Sequence, residues 1–319
     1  MGTTRVSTPV PKGSALPQLQ GARMVTDGGL ETDLIFHRGV DLPAFAAYPL
    51  LADERGRALL TDYYDAYADV AAEAGAGLLL EAPTWRANPD WGARLGHGAA
   101  DLDRANRSAV ELLQALQGRY ASRVEGPVLV SGQAGPRGDG YVVGERMSAD
   151  EAADYHRPQL ASFAGAGADL VTALTLTYPD EAVGVVLAAR DVGLPGAVSF
   201  TVETDGRLPD GHRLDEAVAA VDAAAPPDYF LVNCAHPDHV LAGLAPGPWR
   251  ERIVGTRVNA SRQSHAELDA ADALDEGDPA DLAAAQARLS AELPSLAVLG
   301  GCCGTDARHV RAMWQRWSA

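Results

Sequence analysis

The stretch AVLGGCCG at 297–304 is a short apolar run that ends in two glycines and two cysteines, and TDARHVRAMWQRW follows it at 305–317. Val310, Met313 and Trp317 recur at helical spacing, with Thr305 placed to cap the helix. The unit reads as one buried strand, a polar tip, then a helix. Seven earlier runs repeat the pattern: MVTDGG (24–29), LLLEAPT (78–84), VLVSGQAG (128–135), LVTALTLT (170–177), AVSFTVE (197–203), FLVNCA (230–235) and IVGTRVNA (253–260). Continuous Val, Leu and Ile runs of this length are strands buried on both faces. Eight strands alternating with helices predict an α/β fold, a single-domain (β/α)8 barrel over residues 22–319. A doubly wound sheet would carry a glycine-rich dinucleotide turn after its first strand, and DGGLETDL (27–34) lacks that spacing.

The intervening helices have readable faces and ends. Leu59, Tyr63, Tyr67, Val70 and Ala74 form one apolar stripe, and Leu102, Ala105, Ala109, Leu112 and Leu116 form another. SADE at 148–151 is a capping box, and Asp278-Pro279 is an N-cap followed by proline in the first turn. Residues 1–21 have no apolar core and read as a disordered arm, not a secretory signal.

The formal net charge of −17 repels phosphate backbones and anionic lipid surfaces, so neither nucleic acid nor a membrane is an expected partner. No run approaches the roughly 20 apolar residues of a membrane span. Three cysteines, two of them adjacent, make a poor disulfide framework and point to a reducing cytoplasm.

All three thiols stand at strand ends, and in such barrels the C-terminal strand ends build the active site. Cys234 ends the sixth run and Cys302 and Cys303 end the eighth, so a single strand separates them. Three thiolates suit Zn²⁺, and three protein ligands leave the open fourth position of a catalytic site. His236, His239 and His309 lie near enough in sequence to supply that fourth ligand.

DGGLETDL, NCAHPDHV (233–240) and GGCCGT (300–305) together resemble the homocysteine S-methyltransferase family, over about residue 22 to the C-terminus. The resemblance implies a zinc ion on Cys234, Cys302 and Cys303, and methyl transfer to the thiol of homocysteine to give methionine. It implies a catalytic and substrate-binding role for Asp27, near the substrate amino group or the metal, with Gly28 and Gly29 letting the backbone approach the ligand. It matches Thr84 to the family threonine at the second strand end, includes Asn233 among the binding residues and puts Trp85 on the pocket wall. The chain has no room for cobalamin or folate domains, so the expected donor is a small sulfonium, S-methylmethionine or S-adenosylmethionine.

The sequence departs from the family at two strand ends. Leu174 stands where many members carry the glutamate that holds the homocysteine ammonium group, and Glu81 and Glu203 are the candidates to replace it. VNASRQ (258–263) lacks the glycine of the family pattern, which weakens any transfer of contacts to Asn259 and Ser261. Two long loops, 132–147 and 261–278, are placed to cover the mouth. The expected partners are therefore a small thiol acceptor and a methyl donor, with homo-oligomerisation left open. Rival expectations are transfer to another thiol or selenol, a zinc hydrolase using Glu81 or Asp27 as base, and a non-catalytic metal- or thiol-binding barrel.

Overall fold

The computed structural model describes residues 16–271 and 273–318. Its eight strands are β1 Met24–Val25, β2 Gly77–Glu81, β3 Val128–Ala134, β4 Leu170–Leu176, β5 Gly196–Phe200, β6 Tyr229–Asn233, β7 Ile253–Val258 and β8 Val298–Gly301. All neighbours pair in parallel, and β8 returns to β1 through Met24↔Val298 and Val25↔Leu299, closing the barrel. This is the expected (β/α)8 architecture. Most runs extend past the end of the pairing. The ladder stops at Val25, Glu81, Asn233 and Gly301, so the residues just beyond are free to form the mouth.

The period of two along each strand sorts the side chains by chemistry. Met24, Leu79, Leu129, Leu170, Leu231 and Val298 pack together as an apolar floor inside the barrel. Two residues further along come Glu81, Ser131, Thr172 and Asn233, all buried and polar. The alternate residues Leu78, Leu80, Val130, Val171, Val198 and Val232 face the helices. The barrel is thus dry at its base and polar toward its C-terminal end.

Helix ends follow local rules. Asp53 accepts the amide of Gly56 at 2.8 Å to start Glu54–Ala74, and Ser148 and Glu151 complete the predicted capping box. Asp278 caps Pro279–Ala291 as expected. The last helix differs. Asp306, not Thr305, accepts the amides of Arg308 (2.8 Å) and His309 (3.4 Å). The Thr305 hydroxyl instead donates to the Cys302 carbonyl at 2.7 Å, where it steadies the cysteine turn. Of the arm expected at 1–21, residues 1–15 lie outside the described residues. Pro17–Gln20 forms a 3-10 turn under the barrel, with Leu16 in the apolar floor and the Gln18 side chain donating to the Tyr229 hydroxyl.

The closing seam is tight. A Cβ on Gly300 would lie 2.5 Å from Thr26 Cγ2 and 2.6 Å from the Asp27 carbonyl oxygen. Gly300→Ala is therefore expected to destabilise the fold by about 1–3 kcal/mol in denaturant unfolding. Gly118→Ala, in a helix where a Cβ meets nothing within 4 Å, should be neutral or stabilising in the same assay.

Candidate metal centre

Cys234 follows β6 and Cys302 and Cys303 follow β8, so barrel closure brings them to one side of the mouth. Their three sulfurs lie within 4.8 Å of one another, with Cys234 and Cys303 3.8 Å apart. Cys234 reaches this position with φ +53°, a left-handed conformation rare for a residue with a side chain. Its carbonyl is held by His265 Nε2 at 2.8 Å and by the Thr201 hydroxyl at 3.3 Å. Asn233 braces the same turn: its side-chain oxygen accepts from Ser199 and from the Thr175 amide, while its nitrogen donates to the Thr175 hydroxyl. That nitrogen also approaches Cys302 Sγ at 3.8 Å.

The three sulfurs favour a single negative charge, on Cys302; hydrogen bonding to Cys302 and Cys303, together with burial, pushes the Cys234 thiol well up. The Cys302 thiol is pushed well below its usual range, chiefly by hydrogen bonds from Cys234 and Cys303, with help from Arg257. Its charge in turn helps to raise the thiol of Cys303, as does burial. Arg257 sits inside the barrel, 2.6 Å from Asp27, and donates to the carbonyls of Gly301 and Gly28 at 3.1 Å each. Burial raises the Asp27 carboxyl, while Arg257 and the Tyr63 hydroxyl oppose that rise.

A cavity of about 480 Å³ opens above the sulfurs. Asp27, Gly28, Gly29, Asn233 and the three cysteines all line it. The two glycines also leave room for the protein itself, because a Cβ would meet Tyr67 Oη at 2.5 Å from Gly28 and the Cys302 carbonyl at 2.5 Å from Gly29. Trp85 and Leu174 form part of the wall, joined by Ser261 and other residues of both long loops. From the first loop Tyr141 stacks on His265 with ring centres 3.9 Å apart, and its hydroxyl lies 3.4 Å from Cys303 Sγ.

Other expected residues stand elsewhere. Thr84 is fully buried outside the cavity and donates to the Gln133 carbonyl at 2.7 Å. Glu81 lies in the polar layer inside the barrel and is 1% exposed, with no place on the cavity wall. Glu203 is turned to His265, 2.9 Å away, and is not on the cavity wall. Asn259 is likewise buried off the cavity. None of His236, His239 and His309 joins the sulfur cluster. His236 accepts the Asp238 amide at the start of its helix, and His309 is held between Asp306 and the Glu276 carbonyl.

Glu31, Arg86, Tyr141 and Arg257 also line the mouth, and the sequence reading gives none of them a role. Arg257 had a signal, since an arginine inside an apolar strand run needs a buried partner. Glu31 had a weaker one, an acid two residues after the paired glycines. Arg86 stacks over Trp85 and Trp91 at 4.1 and 3.5 Å.

A closed (β/α)8 barrel with a three-thiol cluster at its C-terminal mouth presents the donor set that a thiophilic metal takes. The chain belongs to the homocysteine S-methyltransferase family, whose profile matches residues 24–317. Among curated relatives, homocysteine S-methyltransferase 4 of Zea mays is 26% identical, covering 92% of this chain and 89% of its own. A selenocysteine Se-methyltransferase of Brassica oleracea var. italica is 23% identical, covering 93% and 89%. The metallated form of the homocysteine methyltransferase MmuM from Escherichia coli shares the fold with TM-score 0.72 at 21% identity, covering 92% of this chain and 96% of that one. Its oxidised form superposes with TM-score 0.74 at 22% identity, covering 95% and 98%.

Burial raises the Glu81 carboxyl to about 7 from 4.5, against the pull of Arg257. Ionising it is harder in the folded chain than in the unfolded one. Its stabilising contribution is therefore complete below pH 4.5 and is lost as pH rises through 7. Glu81→Gln should be more stable than wild type at pH 8, by up to about 3 kcal/mol, with the gap closing near pH 5. Thermal melts across that range check this, and a variant less stable than wild type at pH 8 rejects it.

Proposed function

We propose that this protein is a zinc-dependent S-methyltransferase that moves a methyl group from a small sulfonium donor to homocysteine, giving methionine. The observation that carries the reading is the sulfur cluster at the floor of the mouth cavity. Tetrahedral zinc with Zn–S bonds of about 2.3 Å requires sulfurs about 3.8 Å apart, and Cys234 and Cys303 stand at 3.8 Å. Cys234, Cys302 and Cys303 would hold the ion. When bound, it would supply a deprotonated, nucleophilic acceptor sulfur at neutral pH.

The chain's own residues do the rest. Asn233, Thr201 and His265 fix the cysteine turns, so the acceptor sulfur meets a preset geometry. Tyr141, braced on His265, lies over Cys303 and Cys234 and narrows the approach of water to them. Trp85 and Leu174 offer an apolar wall suited to a methyl group, and an aromatic face attracts a sulfonium. In the transfer the acceptor sulfur forms a bond to the methyl carbon as the donor C–S bond breaks. The electron pair of that bond stays with the donor sulfur, which leaves as a neutral thioether. The acceptor thiol would release its proton to solvent on binding, so no general base is needed at this step. Alignment of the two sulfurs and the carbon is the protein's main contribution.

A cavity of about 480 Å³ shared by both substrates favours the more compact donor, S-methylmethionine. The hydrolase alternative loses support, because Asp27 is held by Arg257 and Glu81 does not reach the cavity. Transfer to another amino-acid thiol or selenol is the second reading, favoured by Leu174. Three close, free thiols need a reducing compartment, and on that ground we assign the protein to the cytoplasm. Among the described residues, no helix is long and apolar enough to cross a membrane.

Cys302→Ser is expected to lose the metal, measured by elemental mass spectrometry, and to lower methionine formation from homocysteine and S-methylmethionine by at least about 1,000-fold. Its circular dichroism should match wild type. Undiminished transfer by metal-free protein rejects the mechanism.

A further inference from the structure

An amino-acid thiol brings an ammonium group into the cavity, and a buried cation requires a carboxylate partner. The acids on the cavity wall are Asp27, Glu31, Asp139, Asp269 and Asp275. Most are already engaged or badly placed. Asp27 is paired with Arg257 at 2.6 Å, and Asp139 faces Arg86 at 3.6 Å. Asp275 accepts from the Ser261 hydroxyl at 2.5 Å and from the Gly277 amide at 3.1 Å. Asp269 is exposed at the rim. The two acids expected to act in place of Leu174, Glu81 and Glu203, are not on the wall at all.

Glu31 differs from all of these. It is partly buried, and among the described residues no Lys, Arg or His nitrogen comes within 4.0 Å of its carboxylate. It stands in the short helix Leu30–Thr32, directly after Gly29, whose backbone packs against the Cys302 carbonyl. That packing sets Glu31 beside the sulfur cluster, close enough for the charges of Cys302 and Asp27 to bear on it. Glu31 and the three cysteines line the same cavity, so an acceptor with its sulfur against the cysteines presents its amine to a space that Glu31 walls. Across the mouth Leu174, 3% exposed, offers that amine nothing.

We propose that Glu31 is the specificity-determining carboxylate of this barrel, receiving the ammonium group of an amino-acid thiol or selenol whose chalcogen sits against Cys234, Cys302 and Cys303. The proposal rests on the transferase reading for its acceptor, and it is read independently by binding.

The test is calorimetric titration of zinc-loaded protein with homocysteine and with 4-mercaptobutanoate, the same thiol acid without its amine. Wild type should bind homocysteine at least about 30-fold more tightly, the cost of leaving a desolvated charge without its partner. In Glu31→Gln that ratio should collapse toward one while 4-mercaptobutanoate affinity holds. Glu31→Asp, which keeps the charge on a shorter arm, should fall between. Zinc content and circular dichroism confirm that each variant is folded. If Glu31→Gln fails that check, the ratio in Glu31→Asp decides. A wild-type ratio near one, or an undiminished ratio in the variants, overturns the proposal.

Methyl transfer from S-methylmethionine is read in parallel. Equal methylation of both thiols by wild type keeps the transferase and overturns the role of Glu31. Transfer to neither thiol overturns the transferase, and the ratio of affinities still decides Glu31.

Discussion

The ion pair between Arg257 and Asp27 is the interaction on which the mouth of this barrel depends. It joins the tip of β7 to the tip of β1 across the intervening β8, and Nε and Nη2 of the guanidinium donate to carbonyls on either side of that seam while Nη1 is buried without a partner. The cysteine turn after β8 is therefore fixed from both flanks. The pair also sets the charge balance. Asp27, Glu81 and the Cys302 thiol crowd around Arg257, which is the cation buried among them. Leaving a charge unpaired in such surroundings costs several kcal/mol, whereas a well-bonded pair roughly balances its desolvation. Its contribution is to register and electrostatics more than to stability.

Around that pair, the sulfur geometry is held by backbone contacts. Cys234 is kept at positive φ, a conformation that costs on the order of 1–3 kcal/mol unless its surroundings impose it. Those surroundings are the hydrogen bonds from Thr201 and His265 to its carbonyl and the Asn233 bracket across β4 and β5. Glu203 and Tyr141 join through His265, one by a hydrogen bond and the other by stacking. Residues from five separate strand ends thus converge on one turn, and the precision of the cluster comes from their redundancy.

Depth separates the acids of the strand tips. Glu81 ends β2 inside the barrel, in register with Ser131 of β3, and the cavity floor closes above it. Glu31 lies beyond β1, past the glycines, and so reaches the open space. One residue of rise along a strand is about 3.3 Å, so small differences in where each ladder stops decide which carboxylate meets a ligand. Thr84 shows the same effect: three residues beyond β2 the chain has already turned, and its hydroxyl is spent on the Gln133 carbonyl.

Much was legible from the chain alone. Eight apolar runs separated by amphipathic helices dictate a closed parallel barrel, because strands buried on both faces need helices on one side and each other on the other. Strand order then puts Cys234 one strand away from Cys302 and Cys303, so the sulfur cluster followed from spacing. Capping at Ser148 and Asp278 was equally local and equally readable, whereas Thr305 was misread because a tertiary contact to Cys302 outcompeted the cap. What the linear text did not carry was the depth and direction of each side chain beyond its strand. The pairing of Arg257 with Asp27, the retreat of Glu81, the turn of Glu203 toward His265 and the exposure of Glu31 to the cavity depend on where eight ladders end relative to one another. Periodicity dictates which face a residue takes, and only closure of the barrel decides which residues meet there.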